Sequence, residues 1–425
     1  MSEYGAIIVG GGAAGLFAAA NIRSGGRILV IEPNRVLGRK LRITGKGRCN
    51  LTNNCSAEEV LKNVLRNPKF LYSAVAKFPP ESIMSWFESR GVPLKTERGR
   101  RVFPQSDRAE DVAEALISEC KRKGVAFLKA KVDGLTVRDG AVSGVKCGDK
   151  EYFSEVVLLA AGGMSYPRTG SDGSGYALAE SVGHTVTDLQ PSLVPIEICE
   201  SFCDALSGLT LKNVSLALYD ISKPNKPLYS ELGELTFMPF GIGGPLGISA
   251  SCYMNEDKLA CKGYKLVIDL KPGLTPEQLD ARLLRDIKDA PQSGFDELLS
   301  GLLPTAMIKT FSDRLDFDKP ASIGNLTREQ RLMTASLLKR FELTPKALRG
   351  FDEAIVTRGG VSVREISPTT MESKLVKGLY FAGEIIDCDA FTGGYNLTVA
   401  FSTAYAAASD ISNKLEQKKE VKKWD

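Results

Sequence analysis

The sequence predicts an α/β protein: a discontinuous, Rossmann-like dinucleotide-binding domain interrupted by a β-rich and then a helical insert. Three observations lead there. The apolar run Ala6-Ile7-Ile8-Val9 enters Gly10-Gly11-Gly12-Ala13-Ala14-Gly15, which opens a helix. The next apolar run, Ile28-Leu29-Val30-Ile31, ends in the acid Glu32, 22 residues after Gly10. Strand-like segments of one nucleotide-binding domain recur near 4–32, 125–163 and 354–384, and the 190 residues between the last two groups are too many for a loop.

Each part of the first unit has a physical task. Gly10 permits the tight turn, Gly12 lets the backbone approach a pyrophosphate, and Gly15 lets the helix pack close to the strand. The helix N-terminus, with Ala14 in its first turn, offers free N–H groups and the positive end of a dipole. Glu32 can accept from a ribose 2′-OH and disfavours a 2′-phosphate. The competing explanation is a glycine-rich turn without a ligand, and the matching acid argues against it.

The insert begins with alternation typical of strands (Leu209-Thr210-Leu211, Val214 to Tyr219, Lys265 to Ile268) and then turns helical. Thr275-Pro276-Glu277-Gln278 and Thr327-Arg328-Glu329-Gln330 are capping boxes. The expected division is 1–190 and 351–425 for the nucleotide-binding domain, 191–272 for the β-rich part and 273–350 for the helical part. The tail from Lys414 to Asp425 has mixed charge and reads as a fraying helix.

Composition limits the function classes. The 425 residues are 43% hydrophobic and 25% charged, with net charge +4, which describes an ordinary globular chain and does not argue for nucleic acid. No apolar run approaches the roughly 18 residues that span a membrane, and a first strand near Tyr4 leaves no room for a signal peptide. The nine cysteines are odd in number and lack Cys-x-x-Cys spacing, which reads as reduced thiols in a cytoplasm. No zinc pattern is present. The single histidine, His184, excludes a mechanism needing two histidines, and it reads as a helix-end residue before it reads as a catalyst.

Two further segments bear on the ligand. Val156 to Gly163 is a buried strand ending in Ala160-Ala161-Gly162-Gly163, and Gly378 to Glu384 is a second strand ending in Gly383-Glu384. Both resemble the later motifs of glutathione-reductase-like FAD-binding domains, where the first such strand ends in Ala-Thr-Gly and the last in Gly-Asp. In that class the aspartate reaches the ribityl chain; here Glu384 stands in its place.

The longer motifs extend this likeness. They are Gly38-Arg39-Lys40-Leu41, Thr44-Gly45-Lys46-Gly47-Arg48-Cys49-Asn50-Leu51-Thr52-Asn53, Gly99 to Pro104, Gly162 to Gly170, Thr357 to Val361, Thr370 to Lys374 and Thr392-Gly393-Gly394-Tyr395-Asn396-Leu397. In this order and over nearly the full length, the set resembles the BaiN/YhiN-like family of bacterial NAD(P)/FAD-dependent oxidoreductases. The resemblance implies a Rossmann-like FAD-binding domain with an inserted β-barrel-like part and a helical part. It implies FAD contacts from Gly10, Gly12, Ala14, Gly15, Glu32 and Pro33, and from Arg39, Lys40, Leu41, Gly47, Arg48 and Asn50. Further contacts are expected from the backbone near Val132 (against the adenine), from Ala161 and Gly162, from Gly383 and Glu384, and from Gly394, Asn396 and Leu397.

The residues agree chemically with that implication. Six basic residues and no acid lie between Arg35 and Arg48, placed for a pyrophosphate, although a solvated loop would look the same. Gly393-Gly394 precedes a helix whose N–H groups could stabilise negative charge at the flavin N1–O2 edge. The pattern breaks at one place. The family's Thr-His pair before Gly-x-Ser-Gly-Pro is here Met238-Pro239, and Gly243 replaces the serine.

The resulting expectation is an FAD-dependent oxidoreductase that moves a hydride through flavin N5. NAD(P)H is the expected donor, and with no second Gly-x-Gly-x-x-Gly present it would visit the flavin face transiently. Candidate catalytic residues are Cys49, Lys46, Arg48, Tyr166, Arg168 and Tyr395. Cys49 could supply a proton or simply pack as a small apolar residue; a redox pair with Cys55 has the wrong spacing. The expected substrate is a small molecule. The first alternative is reduction of uridine to dihydrouridine in large-subunit ribosomal RNA. Arg90, Lys95, Arg98, Arg100, Arg101 and Arg108, set against Glu97 and Asp107, would then form a phosphate-binding surface where a solvated face is the plainer reading. The second alternative is a non-catalytic flavin redox sensor. Oligomeric state is not readable from these residues.

Overall fold

The computed structural model describes residues 3–23 and 26–421. The chain divides into two units, Met1–Ser192 with Phe351–Asp425 and Leu193–Gly350. In the first unit, strand β1 (Ala6–Val9) lies inside a five-stranded parallel sheet. Across it the order is Leu379–Phe381, Val157–Leu159, β1, β2 (Ile28–Ile31) and Ala126–Leu128. The register pairs Ile7 with Val157 and Ala6 with Ile28. The central strands are apolar on both faces and fully buried, as a parallel sheet covered on both sides requires.

Helix α1 (Ala13–Asn21) is built almost wholly of Ala, Gly, Leu and Phe, and most of it is buried. Small residues let it pack against the helix Tyr395–Val421, whose Ala404, Ala406, Ala407 and Ala408 are also buried. Aromatic rings close the same core: Phe17 lies 4.9 Å from Trp86 and 4.8 Å from Phe401. The expected helical tail continues to Val421, and its last four residues lie outside the described ones.

The second unit contains a seven-strand antiparallel ladder in the order 341–343, 264–269, 210–220, 229–238, 241–243, 196–198 and 345–348. Its two end strands are consecutive in the chain, separated by Thr344 alone. One stretch therefore pairs with Tyr264–Asp269 through Phe341–Leu343 and with Ile196–Ile198 through Pro345–Leu348, which brings the two ends of the ladder together as in a barrel. Both capping boxes form, with Thr275 and Thr327 accepting from the backbone of Gln278 and Gln330. The helical part expected over 273–350 ends earlier, at Lys339. Residues 341–348 return to the sheet, pairing with Tyr264–Asp269 and Ile196–Ile198. Among the described residues no helix is long and apolar enough to cross a membrane.

Candidate cofactor site

The three turn glycines are required for three different reasons. Gly10 has φ +108°, and a Cβ there would lie 2.4 Å from the carbonyl oxygen of Ala160. A Cβ on Gly15 would lie 1.9 Å from the Gly10 carbonyl, so only glycine lets α1 sit this close to β1. At Gly12 a Cβ would meet nothing within 4 Å. Its lack of a side chain answers to no neighbour in the protein and keeps open the ground before the α1 N-terminus. That N-terminus has no side-chain cap, so its first-turn N–H groups are left for a ligand.

The ground in front of Gly12 is the floor of a groove that runs past Glu32, Lys40 and Glu384. All of its lining belongs to the first unit. Of the expected FAD contacts, Gly10, Gly12, Ala14, Glu32, Arg39, Lys40, Leu41, Ala161, Gly162, Gly383, Glu384, Asn396 and Leu397 line it. Gly15 and Gly394 act one layer back: a Cβ on Gly394, at φ +99°, would lie 2.3 Å from the backbone of Thr52. Pro33, Gly47, Arg48, Asn50 and Val132 are not on the wall. Val132 is buried in the link between Ala126–Leu128 and the strand Gly134–Arg138.

Glu32 is fixed by its neighbours. One carboxylate oxygen accepts from the Gly11 N–H at 2.7 Å, and the other accepts from the Asn34 N–H at 3.0 Å and side-chain amide at 2.7 Å. Asn34 also donates to the Thr169 carbonyl, which ties the turn 167–170 to this end of the groove. Thr44, Thr169 and Gly170, which belong to the quoted motifs, also line the site, as do the unexpected Asn34, Ser171, Ile355, Val356, Cys388, Val399 and Ala400. Val399 and Ala400 could have been found, since they lie three and four residues after Asn396 on one helix face. Ile355 and Val356 carry no local signal.

The six catalytic candidates are not brought together on this wall. Cys49 is fully buried and burial pushes its thiol up to about 12, so it is neither exposed to the groove nor a ready acid. Cys49 and Cys55 are both free thiols. Arg48 turns away to Asp107, at 2.8 Å, and to Glu97, and lies 4.3 Å over the Phe103 ring. Its charge is thus paired with those two acids, away from the groove wall where it was expected among the catalytic and cofactor residues. Lys46 and Arg168 are exposed, Tyr166 is half-buried at φ +52°, and Tyr395 is buried at the start of the last helix.

Other basic residues are also spoken for. Arg42 pairs with Glu110 and Glu114, so the six cations of the 35–48 segment do not act as one patch. The expected phosphate-binding surface is largely neutralised: Arg90 pairs with Glu119, Lys95 with Asp107, Arg100 with Glu59, and Arg108 approaches Asp111. His184 is structural. Its ring meets Ser373 at 2.8 Å and Glu365 at 3.2 Å, and burial holds its pKa below the ordinary value against the pull of Glu365.

Residues 4–410 match the family described as HI0933-like protein Rossmann domain. The chain belongs to that family. It is a family of FAD-binding oxidoreductases. The chain is 32% identical over 410 residues to the 3-dehydro-bile acid delta(4,6)-reductase of Clostridium scindens, covering 94% of this chain and 97% of that one. It is 31% identical over 421 residues to the ribosomal RNA dihydrouridine synthase of Haemophilus influenzae, covering 97% and 100%. Among solved structures it resembles 3-ketosteroid delta1-dehydrogenase from Sterolibacterium denitrificans, with TM-score 0.53, 13% identity, and coverage of 97% and 100%. At that identity the likeness is one of fold. The names of the two sequence relatives refer to different substrates.

Proposed function

We propose that this HI0933-like protein is an FAD-dependent reductase of a carbon–carbon double bond conjugated to a carbonyl, acting on a small molecule with NAD(P)H as donor. The observation that carries the cofactor is Gly12: it is open where a side chain would fit, at an uncapped helix N-terminus, in a groove that also holds Glu32. FAD would supply hydride transfer at N5. The α1 N-terminus would hold its diphosphate, Glu32 its adenosine ribose, and the N-terminus of the helix Tyr395–Val421 the carbonyl edge of the flavin.

The substrate class rests on the two relatives. A 3-oxo steroid with unsaturation at positions 4 and 6 and the uracil ring of uridine both present an alkene conjugated to a carbonyl. Each reduction needs a hydride at one carbon and a proton at the other. Tyr166 and Arg168 lie just before Thr169 of the groove wall, Lys46 follows Thr44 of the same wall, and Tyr395 precedes Asn396. These four are retained as substrate-side residues; Cys49 and Arg48 are not.

A second reading, reduction of uridine in ribosomal RNA, is favoured by 31% identity over 97% of the chain to an enzyme of that name. One set of experiments decides. The FAD-loaded protein is reduced anaerobically with NADH or NADPH and offered a 4-en-3-one steroid. In parallel, dihydrouridine in large-subunit ribosomal RNA is counted by mass spectrometry with and without the gene. Steroid turnover with an unchanged count supports the small-molecule reading. A lost modification, restored by the gene but not by a Gly12→Val form, replaces it with the RNA reading. Bound FAD without turnover in either assay sinks both and leaves a redox sensor.

A further inference from the structure

Cys388 lines the groove, and the next residue, Asp389, is fully buried one layer back from the wall. Two other wall residues are tied to it. Val356 pairs in strand register with Ser192, whose hydroxyl donates to Asp389 Oδ2 at 2.8 Å. Asn396 brackets the following residue: it accepts from the Ala390 N–H at 2.9 Å and donates to the Ala390 carbonyl at 2.7 Å. From another segment, the Leu65 N–H donates to the Asp389 carbonyl at 2.8 Å. Asp389 is thus fixed beside the first turn of the helix Tyr395–Val421, the end of the groove that the FAD reading gives to the flavin.

This carboxyl is poorly matched to a permanent charge. Its Oδ1 is buried and has no hydrogen-bond donor among the described residues. Arg358 Nε lies 3.8 Å from Oδ2, beyond hydrogen-bond reach. Arg66, the other cation that acts on it, is paired with Asp387 at 3.0 Å. Cys388, between the two aspartates, stays a neutral thiol because burial holds its pKa far above the ordinary value. Burial likewise raises the Asp389 carboxyl above its ordinary 3.8, against the pull of Arg358, Ser192 and Arg66 and with a further push from Asp387. An ionised oxygen left without a donor in the interior is costly, and one proton removes the cost.

Building on the FAD reading, we infer that Asp389 is the proton site coupled to flavin reduction, ionised beside the oxidised cofactor and protonated beside the reduced one. Hydride transfer from NAD(P)H leaves NAD(P)+ and adds one negative charge to the flavin. A like charge one layer away in the interior is weakly screened, so the Asp389 carboxylate binds one proton from water. It returns that proton when the flavin passes its hydride to an acceptor. Asp389 is a positioning residue that acts through its charge.

The test is the flavin midpoint potential of the FAD-loaded protein, followed spectroscopically from about pH 5 to 9. Asparagine imitates the protonated carboxyl. An ionised Asp389 opposes added negative charge and lowers the potential. Asp389→Asn is therefore expected to match the wild type at the acid end. At the alkaline end it should lie above the wild type by about tenfold in the reduction equilibrium, or about 30 mV for two electrons. Between those ends the wild-type potential falls more steeply with pH. Ser192→Ala removes a donor that favours the ionised form, so it should move the steep window to higher pH. This variant decides the matter if Asp389→Asn fails to fold. Parallel curves for wild type and Asp389→Asn, at any offset, would overturn the inference and leave FAD binding standing. So would an unmoved window in Ser192→Ala. A wild-type chain that takes up no FAD overturns the cofactor reading, and the inference with it.

Discussion

The sulphur of Met238 fills the space beside Gly243: it lies 2.8 Å from where a Cβ on Gly243 would stand. The family resemblance implies threonine and serine at these two positions. The two departures are therefore one packing change, a longer side chain entering where a shorter neighbour withdrew. Gly243→Ser alone is expected to overpack this corner and cost about 1–3 kcal/mol. Met238→Thr with Gly243→Ser should recover most of that. Denaturant midpoints of the single and double variants check it, and additive effects would show that the positions are independent.

Gly12 and Gly15 should separate binding from folding. A Cβ at Gly12 meets no protein atom within 4 Å, whereas one at Gly15 collides with the Gly10 carbonyl. Gly12→Val should melt like the wild-type apoprotein and fail to retain FAD. Gly15→Val should lose several kcal/mol, on the order of the worst core substitutions, with or without cofactor. Normal FAD affinity in folded Gly12→Val would move the diphosphate elsewhere.

Buried thiols predict how stability responds to alkali. Burial pushes Cys49, Cys120 and Cys203 from an ordinary value of 9.0 up to about 12. These groups stay protonated in the folded state while the unfolded chain ionises. Their contribution is complete below pH 9 and is lost as pH rises from there towards 12. Each thiol should add about 1.4 kcal/mol of destabilisation per pH unit in that window. Cys49→Ala should flatten the alkaline limb by one proton, measured by urea denaturation between pH 8.5 and 10.5. An unchanged slope would mean that Cys49 is accessible in solution.

Under the RNA reading, the cations without a carboxylate partner should matter most. Among the described residues no acid pairs with Arg98 or Arg101; Arg101 instead donates to the Arg98 carbonyl and lies 5.9 Å from the Phe103 ring. Arg98→Ala and Arg101→Ala should each reduce the salt slope of ribosomal RNA binding by about one. Arg90→Ala should not. Its guanidinium is occupied by Glu119 and stacks on Trp86 at 3.9 Å, so its loss should appear in stability. Equal effects from all three on RNA binding would contradict this assignment.

What the sequence by itself determined lies where the chemistry is local. The turn Gly10 to Gly15, the acid Glu32, the two capping boxes and the buried strands were legible because strand, turn and helix signals span only a few residues. The insert was legible because 190 residues exceed any loop. Tertiary structure alone decided which charges remain available. Arg48 and Lys40 lie eight residues apart in one basic segment, yet Arg48 pairs with Glu97 and Asp107 while Glu384 and Ser165 hold Lys40 on the wall. It also decided that Ile355 and Val356 line the groove and that residues 341–348 bring the two ends of the ladder together. The physical reason is the same in each case. Ion pairing and strand closure depend on partners tens to hundreds of residues distant, and their positions exist only once the chain has folded.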